Sequence, residues 1–199
     1  MKIFEDENFI KNINNILKKG GVIAFVTDTV WGVGCLPDNE KAVKKIYEIK
    51  KREAKKPLIL MSNDYENLKK YIKNPSEKMK SLVKKYFPGA LTIVSEKSDL
   101  TPKFITSNMN TVGVRVPDNV VFQKICNIID GHVLATTSAN VSGNTSGKSF
   151  EDVKNELGNK IDYIFEDYSF KAKGLESTVV KIENENLSVL RQGAILLSL

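Results

Sequence analysis

The chain alternates short apolar segments with segments of helical periodicity, and it ends in a run of segments that all favour strands. The apolar stretch 22–26 follows the glycine pair Gly20-Gly21 and is too short for a helix, which favours a buried strand. Further strands are predicted near the end of the chain, at about 161–165, 177–182 and 187–191. A doubly wound parallel fold would alternate helix and strand to its end. The pattern therefore predicts an α/β fold with a twisted mixed sheet flanked by helices.

The remaining elements follow from periodicity and from capping residues. Helices are predicted over 9–19, 39–51, 64–71, 75–87, 119–129 and 149–157. Strands are predicted over 58–61, 90–95, 111–116 and 132–137. Asn74 is the predicted cap of the fourth helix, with Pro75 at its first position, and Ser149 with Asp152 makes an approximate capping box. Because neither a repeat nor a linker interrupts this series, we expect residues 1–199 to form a single domain.

Length and composition favour a soluble protein with its own core. The 199 residues are 41% hydrophobic and 27% charged, as is usual for globular domains. No apolar run approaches the roughly 18 residues that cross a bilayer, and the polar segment 1–7 lacks the pattern of a secretion signal. We therefore expect a cytoplasmic protein with no membrane partner. Cys35 and Cys126 fit neither a metal site nor a disulfide in a reducing compartment, so both are predicted to be buried.

The positive charge is concentrated in one segment. Residues 41–56 hold eight lysines and arginines against two glutamates, which equals the net charge of +6 of the whole chain. Such a patch attracts phosphate, on a nucleotide or on RNA. The alternative is a solvated helix face whose last cations suit the helix dipole.

Several familiar catalytic arrangements are missing from the sequence. The only histidine, His132, falls in a predicted strand, so a nucleophile paired with histidine is poorly supported and a structural role is favoured. The sequence has no GxSxG motif and no set of three or four metal ligands. Segment 143–149 stands where a Walker A loop belongs, but three residues separate its glycines where that loop needs four. A P-loop is therefore a minor alternative.

Four segments carry polar residues where a ligand is expected. Thr27 and Thr29 point the same way if the chain is extended, unless their hydroxyls satisfy local backbone groups. The cations at 50–52 end a charged helix. Arg115 lies within an apolar strand, so it needs an anion, either a ligand or a protein carboxylate. The segment 138–140 follows a strand, and loops at the carboxyl ends of parallel strands bind ligands in α/β sheets.

Together these segments resemble the YrdC family. The matching motifs run in the family's order from about residue 10 to 195: Thr-Asp-Thr-Val-Trp-Gly (27–32), Lys-x-Arg (50–52), Lys-Pro-Leu (56–58), Pro-Gly-x-Leu-Thr (88–92), Thr-Val-Gly-Val-Arg (111–115), Ser-Ala-Asn (138–140), Glu-Ser-Thr (176–178) and Leu-Arg-x-Gly (190–193). The resemblance implies a YrdC-like fold with a basic concave cavity. Since the chain ends soon after Gly193, it is similar to the short form without an extra C-terminal domain.

The resemblance also implies an activity. The expected reaction joins L-threonine, bicarbonate-derived CO2 and ATP into threonylcarbamoyl-AMP and pyrophosphate, for threonylcarbamoyladenosine formation next to the tRNA anticodon. The expected partner is a downstream tRNA threonylcarbamoyl transferase complex, and a weak direct contact with tRNA stays open. Magnesium would be held mainly by phosphates and water, so no protein metal ligands are expected. The alternatives are an RNA-binding module without catalysis and a carbamoyl-transfer relative.

The family pattern assigns roles to individual positions. Lys50 and Arg52 are the expected catalytic cations, which neutralise the triphosphate. The expected nucleotide-binding residues are Arg52, Lys56, Thr111, Ser138, Asn140, Ser146 and Arg191. The expected threonine-binding residues are Thr29, Arg115, Thr136 and Ser177, with Arg115 gripping the carboxylate through two parallel hydrogen bonds.

The chain departs from the family pattern at five positions. Val26, Glu53 and Thr137 stand where proline is common, and Met61 stands where some relatives carry histidine. Trp31 replaces a common tyrosine, which is expected to keep an aromatic platform without the phenol hydroxyl. None of these changes removes an expected charge, so they affect substrate fit more than reaction type.

Overall fold

The computed structural model describes residues 1–53 and 55–197. Its α-helices are α1 (Glu7–Lys18), α2 (Glu40–Lys50), α3 (Glu66–Lys69), α4 (Glu77–Tyr86), α5 (Val120–Ile128) and α6 (Phe150–Leu157). Its strands are β1 (Ile23–Phe25), β2 (Gly32–Cys35), β3 (Ile59–Ser62), β4 (Leu91–Glu96), β5 (Thr111–Arg115), β6 (Val133–Ser138), β7 (Tyr163–Ile164), β8 (Thr178–Glu183) and β9 (Asn186–Arg191). Short 3-10 turns cover Lys2–Glu5 and Gly158–Lys160. Each predicted helix and strand is present, with ends that differ by a few residues.

The strands of the described residues form one sheet in the order β7-β1-β2-β6-β3-β5-β4-β8-β9. Three neighbouring pairs are parallel, namely β1 with β7, β3 with β5 and β4 with β8, and the other five are antiparallel. The mixed sheet predicted from the sequence is therefore confirmed. Alternation along the central strands gives the sheet two different faces. Leu60, Val114 and Ala135 are fully buried in the core, while residues next to them in sequence line the cavity described below: Ile59, Met61, Arg115 and Thr136.

Strand β2 is the one strand that the sequence did not predict. Its glycines, Gly32 and Gly34, have low strand propensity, so periodicity and composition do not indicate a strand here. The structure explains both glycines, because the ring of Phe25 on the antiparallel neighbour lies across them. A Cβ on Gly32 would come within 2.7 Å of that ring. Glycine here lets an aromatic side chain pack directly on the backbone of the next strand.

Three local predictions are wrong. Helix α4 is capped by Ser76, whose hydroxyl accepts from Met79 N, while Asn74 adopts a left-handed conformation at φ +46°. His132 also has positive φ and precedes β6, with Nδ1 2.7 Å from the carbonyl oxygen of Cys126. Strand β6 is antiparallel to both neighbours, so Ser138 does not end a parallel strand. The capping box of Ser149 and Asp152 is confirmed.

The helices bury their apolar faces against the sheet. Cys35 and Cys126 are free thiols inside this core, as predicted, and burial raises the pKa of Cys35 to about 12. The core also contains charged side chains, Lys50 and Arg115, each almost completely buried. None of the described helices is long and apolar enough to cross a membrane.

Candidate functional site

A cavity of about 250 Å³ opens over the centre of the sheet. Strand register builds its floor, because Thr136 on β6, Ile59 on β3 and Gly113 on β5 lie side by side, and Met61 pairs with Arg115 one step along. Gly113 keeps the floor low, since a Cβ there would come within 2.8 Å of Ile59. The polar and charged lining residues are Thr29, Arg52, Thr92, Arg115, Thr136, Thr137, Ser138, Glu176, Ser177 and Arg191.

Arg115 lies at the bottom of this cavity and is 2% exposed. Its Nη2 pairs with the carboxylate of Asp28, its Nη1 donates to Thr29 Oγ1 at 2.8 Å, and its Nε donates to the carbonyl of Gly89 at 2.9 Å. Burial lowers the pKa of Arg115, and the nearby Asp28 opposes that effect. Guanidinium has five N–H groups, and two of those of Arg115 have no partner within residues 1–53 and 55–197. The anion that the buried Arg115 requires is therefore the carboxylate of Asp28. Arg115 also lines the cavity.

The Thr27–Thr29 segment is folded to hold this arginine. Thr27 Oγ1 donates to the carbonyl of Val30 at 2.6 Å and accepts from Thr29 N at 3.1 Å. The two threonine hydroxyls are 3.0 Å apart because the chain bends here, so their contact does not come from the alternation of an extended strand. The Thr29 carbonyl accepts from Gly174 N at 2.7 Å, which ties the turn to the segment before β8. Thr27 satisfies local backbone, whereas Thr29 lines the cavity.

Lys50 is 1% exposed and does not line the cavity. Its ammonium donates to the carbonyls of Ser138 and Asn140 and, at 3.2 Å, to Asn140 Oδ1. Burial, followed by the charge of Arg52, lowers the pKa of Lys50 to about 8. The expectation that Lys50 touches a triphosphate does not match this placement. Its ammonium instead fixes the path of the backbone after β6.

Arg52 lies at the mouth of the same cavity. Helix α2 ends at Lys50, and Lys51 takes a left-handed conformation at φ +48° that turns the chain. Arg52 then donates through Nε to the carbonyl of Lys56 and through Nη2 to that of Pro57, both at 3.1 Å. Within the described residues it forms no salt bridge. Its charge is thus available at the cavity opening.

A second cavity of about 310 Å³ adjoins the first and shares Val30, Glu176 and Arg191 with it. Arg191 pairs with one carboxylate oxygen of Glu176 and donates through Nη2 to the Ser177 carbonyl at 2.9 Å. Ser146 donates to the other Glu176 oxygen at 3.1 Å. The ion pair of Glu176 and Arg191 therefore stands at the boundary between the two cavities.

The remaining expected site residues are placed unevenly. Asn140 is buried within its loop, where its amide bonds the carbonyls of Val141 and Asn144. Lys56 is exposed and pairs with Glu53 at 3.2 Å. Thr111 lies at the other end of β5 and lines a separate depression beside Lys73 and Lys181. By contrast, the structure brings together the following expected residues around the two adjoining cavities: Thr29, Arg52, Arg115, Thr136, Ser138, Ser146, Ser177 and Arg191.

Sequence reasoning missed three residues that shape the site. Asp28, between the two threonines, is the carboxylate that meets Arg115. Glu176 comes directly before Ser177 in the Glu-Ser-Thr motif, and its side chain lines both cavities. Thr92 lines the cavity and lies 2.9 Å from Ser177 Oγ. All three lie in motifs that carry the resemblance to the YrdC family, so these motifs could have identified them as site residues.

Trp31 does not form an aromatic platform at the cavity. It is completely buried and packs edge-on against Phe150, with ring centroids 6.1 Å apart. Its backbone N–H donates to Gly147 and its carbonyl accepts from Ala139. Tryptophan in place of tyrosine therefore affects how the segment at Trp31 packs against the segment 139–150, and Trp31 does not line the cavity.

The basic segment 41–56 is not a continuous phosphate-binding patch. Lys44 pairs with Glu40 and Lys45 with Asp162, while Lys50 is buried. Half of its eight cations are thus ion-paired or buried, counting Lys56 with Glu53, and Arg52 is the one that lines the cavity among the described residues.

The loop before α6 does not behave as a P-loop. The N–H groups of Lys148 and Ser149 donate to Asp152 Oδ2, and the Asp152 N–H donates to Ser149 Oγ. These side chains occupy the N–H groups that a Walker A loop would direct at a phosphate. Among the described residues, no group of three or more histidine, cysteine, aspartate or glutamate side chains is placed to hold a metal.

Fold and site together define an α/β protein with an arginine-lined cavity beside a second, adjoining polar cavity. The chain belongs to the Sua5/YciO/YrdC family, whose profile, described as telomere recombination, matches residues 15–193. A Vibrio cholerae protein named threonylcarbamoyl-AMP synthase is 36% identical over 179 residues, which cover 89% of this chain and 93% of that protein.

Solved structures share this fold. The structure of Pyrococcus abyssi Sua5 complexed with L-threonine matches with a TM-score of 0.87 and 34% identity, covering 94% of this chain and 55% of that one. Escherichia coli YciO matches with a TM-score of 0.82 and 25% identity, over 94% of this chain and 90% of that one. The chain therefore spans about half the length of the Pyrococcus protein and nearly all of YciO. The YrdC-like fold predicted from the sequence is confirmed.

Proposed function

We propose that this chain is an L-threonylcarbamoyladenylate synthase, which forms threonylcarbamoyl-AMP and pyrophosphate from L-threonine, bicarbonate-derived CO2 and ATP. The observation that carries the proposal is the convergence of Arg52, Arg115 and Ser138, distant in sequence, on one cavity. The names of the relatives, and the L-threonine in the Pyrococcus complex, point to the same reaction.

The first cavity suits the amino acid. At about 250 Å³ it is smaller than the roughly 300–1,000 Å³ of cavities that hold drug-sized ligands. The two N–H groups that Arg115 has left match a carboxylate, because guanidinium and carboxylate meet through two parallel hydrogen bonds. The hydroxyls of Thr29, Thr136 and Ser177 surround the same space and can bind the rest of a small polar amino acid.

The nucleotide would extend from the first cavity into the second. Arg52 stands at the opening, Ser138 lies on the floor, and Arg191 with Ser146 lines the adjoining space. Magnesium would enter with the triphosphate and be held by phosphate oxygens and water. In this proposal Lys50 and Asn140 act through the loop that carries Ser138 rather than by touching phosphate.

The chemistry requires positioning and charge neutralisation. A carbamate oxygen of N-carboxythreonine attacks the α-phosphate, the bond from this phosphorus to the bridging oxygen breaks, and pyrophosphate leaves. Negative charge builds on the transferred group and on pyrophosphate, so fixed cations stabilise that state more than the ground state. In this proposal Arg52 and Arg191, which line the cavity, take this role.

RNA binding without catalysis has less support. A nucleic-acid surface needs solvent-facing cations, and aromatic side chains for stacking on single strands. In segment 41–56 Lys44 and Lys45 are paired with carboxylates and Lys50 is buried, while Lys41, Lys51 and Lys55 are exposed. The one aromatic side chain of the segment, the half-buried Tyr47, bonds the carbonyl of Lys56. Cytoplasmic location, the downstream transferase and a weak tRNA contact stay predictions.

The test is pyrophosphate release by the purified protein with MgATP. We expect release to require both L-threonine and bicarbonate, and labelled bicarbonate to enter a labile adenylate. Release that is independent of threonine would reject the synthase assignment.

Two conservative variants separate the subsites. Arg115→Lys removes the two-pronged match to a carboxylate, so we expect the KM for threonine to rise at least about tenfold while the KM for ATP changes little. Arg52→Lys keeps the charge but loses the bonds to the Lys56 and Pro57 carbonyls, so we expect the main defect in ATP use. Equal defects toward both substrates in the two variants would contradict this division.

A further inference from the structure

The cavity is unbalanced in charge for an amino acid. Arg52, Arg115 and Arg191 all line it, and Glu176 is the one acidic side chain in the described lining of either cavity. Asp28 is close by but 8% exposed and committed to Arg115. The carboxylate of threonine suits this environment. Its amino group must lose protons to become a carbamate, and among the described residues that line the cavities Glu176 is the one carboxylate.

The backbone of Glu176 is rigidly held. Its carbonyl accepts from Ala194 N at 2.9 Å, and a Cβ on Gly193 would overlap that same carbonyl. Gly174, two residues before Glu176, donates its backbone N–H to the Thr29 carbonyl. Glu176 is thus fixed against both the segment that carries Thr29 and the end of β9. The bonds to Arg191 and Ser146 then place its carboxylate between the two cavities.

The Glu176 carboxylate retains capacity to accept a proton. Arg191 occupies one oxygen and Ser146 the other, whereas a carboxylate has about four lone-pair positions. Among the other charged groups, Arg52 and Arg115 line the same cavity, and the charge of Glu176 also acts on the buried Lys50. Lys148 packs on Gly174, two residues before Glu176. No second carboxylate of the described residues faces Glu176 across these cavities.

We propose that Glu176 is a further catalytic residue, the base that removes a proton from the threonine nitrogen as the carbamate forms. This inference rests on the proposed synthase function. The neutral amine attacks CO2, a nitrogen–carbon bond forms, and one C=O electron pair moves to oxygen. The nitrogen now carries a positive charge, and its proton passes to a Glu176 oxygen. The products are the carbamate anion and a neutral carboxyl group, which returns the proton to water at the cavity mouth.

Glu176→Gln tests this assignment, because it keeps the shape and one of the two acceptor oxygens but cannot take up a proton. Proton transfer by a positioned base contributes about 10²–10⁴-fold. We therefore expect at least about a hundredfold lower kcat at pH 7.5 with low bicarbonate. Threonine carbamate forms without enzyme at higher pH and high bicarbonate, so the gap to the wild type should shrink at least about tenfold at pH 9 with saturating bicarbonate. Glu183→Gln, an exposed change on β8, is the matched control and should behave as wild type.

The outcomes are separable. A constant defect across pH and bicarbonate, with a raised KM for ATP, would mean that Glu176 only holds Arg191, and would overturn the base assignment. Wild-type activity in Glu176→Gln would do the same. If the wild-type protein itself releases no pyrophosphate in response to threonine, the synthase proposal fails and the inference falls with it.

Discussion

Replacing Lys50 by methionine tests whether its buried ammonium fixes the loop after β6. Methionine matches the length of the lysine chain and removes the charge, so the packing is largely kept. The ammonium has three acceptors, the carbonyls of Ser138 and Asn140 and the side-chain oxygen of Asn140. The variant therefore deletes one donor group and leaves the acceptors in place.

The magnitude follows from what each acceptor has left. The Ser138 carbonyl still accepts from Asn140 N at 3.1 Å, and Asn140 Oδ1 still accepts from the Ser138 hydroxyl at 2.6 Å. The Asn140 carbonyl has no other partner among the described residues. One buried carbonyl without a partner costs about 1–3 kcal/mol. For a chain of this size that lowers Tm by roughly 2–12 °C.

Equilibrium denaturation of Lys50→Met beside Lys44→Met measures this effect. Lys44 lies on the same helix, is 69% exposed and pairs with Glu40, so its loss should change the free energy of unfolding by less than about 0.5 kcal/mol. Pyrophosphate release per folded molecule should also be lower in Lys50→Met than in the wild type, because the Ser138 loop is no longer fixed. Equal stability and activity in the two variants would refute the network.

The remaining predictions concern the other buried charges and one close backbone contact. In the folded protein Lys50 loses its proton above about pH 8, whereas in the unfolded chain lysine keeps its proton up to about pH 10.5. Between these two values the unfolded state binds more protons, so the free energy of unfolding rises with pH, by up to about 3 kcal/mol. Subtracting the unfolding free energies of Lys50→Met from those of the wild type between pH 7.5 and 10 should show this rise, and a flat difference would contradict it. Asp28→Asn leaves Arg115 buried without its carboxylate and should cost about 3–5 kcal/mol in urea denaturation. Glu66→Gln, which breaks the exposed pair with Lys69, is the comparison. A loss of unfolding free energy in Asp28→Asn as small as in Glu66→Gln would argue against a stabilising role of Asp28. Gly193→Ala would push the end of β9 away from the Glu176 carbonyl and should reduce pyrophosphate release far more than Gly131→Ala, whose site is open although its φ is +77°. Similar losses in the two glycine variants would mean that backbone strain, and not this contact, matters.

The sequence predicts the sheet well because strand and helix periodicities differ and cap residues mark the ends. It misses β2 because the reason for Gly32 and Gly34 is the ring of Phe25 on another strand. It misplaces the cap of α4 because Asn74 and Ser76 are both good caps and the backbone decides between them. These errors share one origin, since the deciding contact lies outside the segment that was considered.

The candidate site shows the same division at the level of single residues. Residue type identifies the chemistry, so the buried Arg115 and the hydroxyls around it were found from the sequence. Position on the element decides what a side chain touches. Lys50 and Arg52 were grouped because they share a motif, yet residues two apart at a helix end do not face each other. Helix α2 sends Lys50 inward to the Ser138 loop, and the left-handed Lys51 then turns Arg52 to the cavity mouth. A Lys-x-Arg pair at the end of a helix therefore predicts one cation for the ligand and one for the loop that holds it.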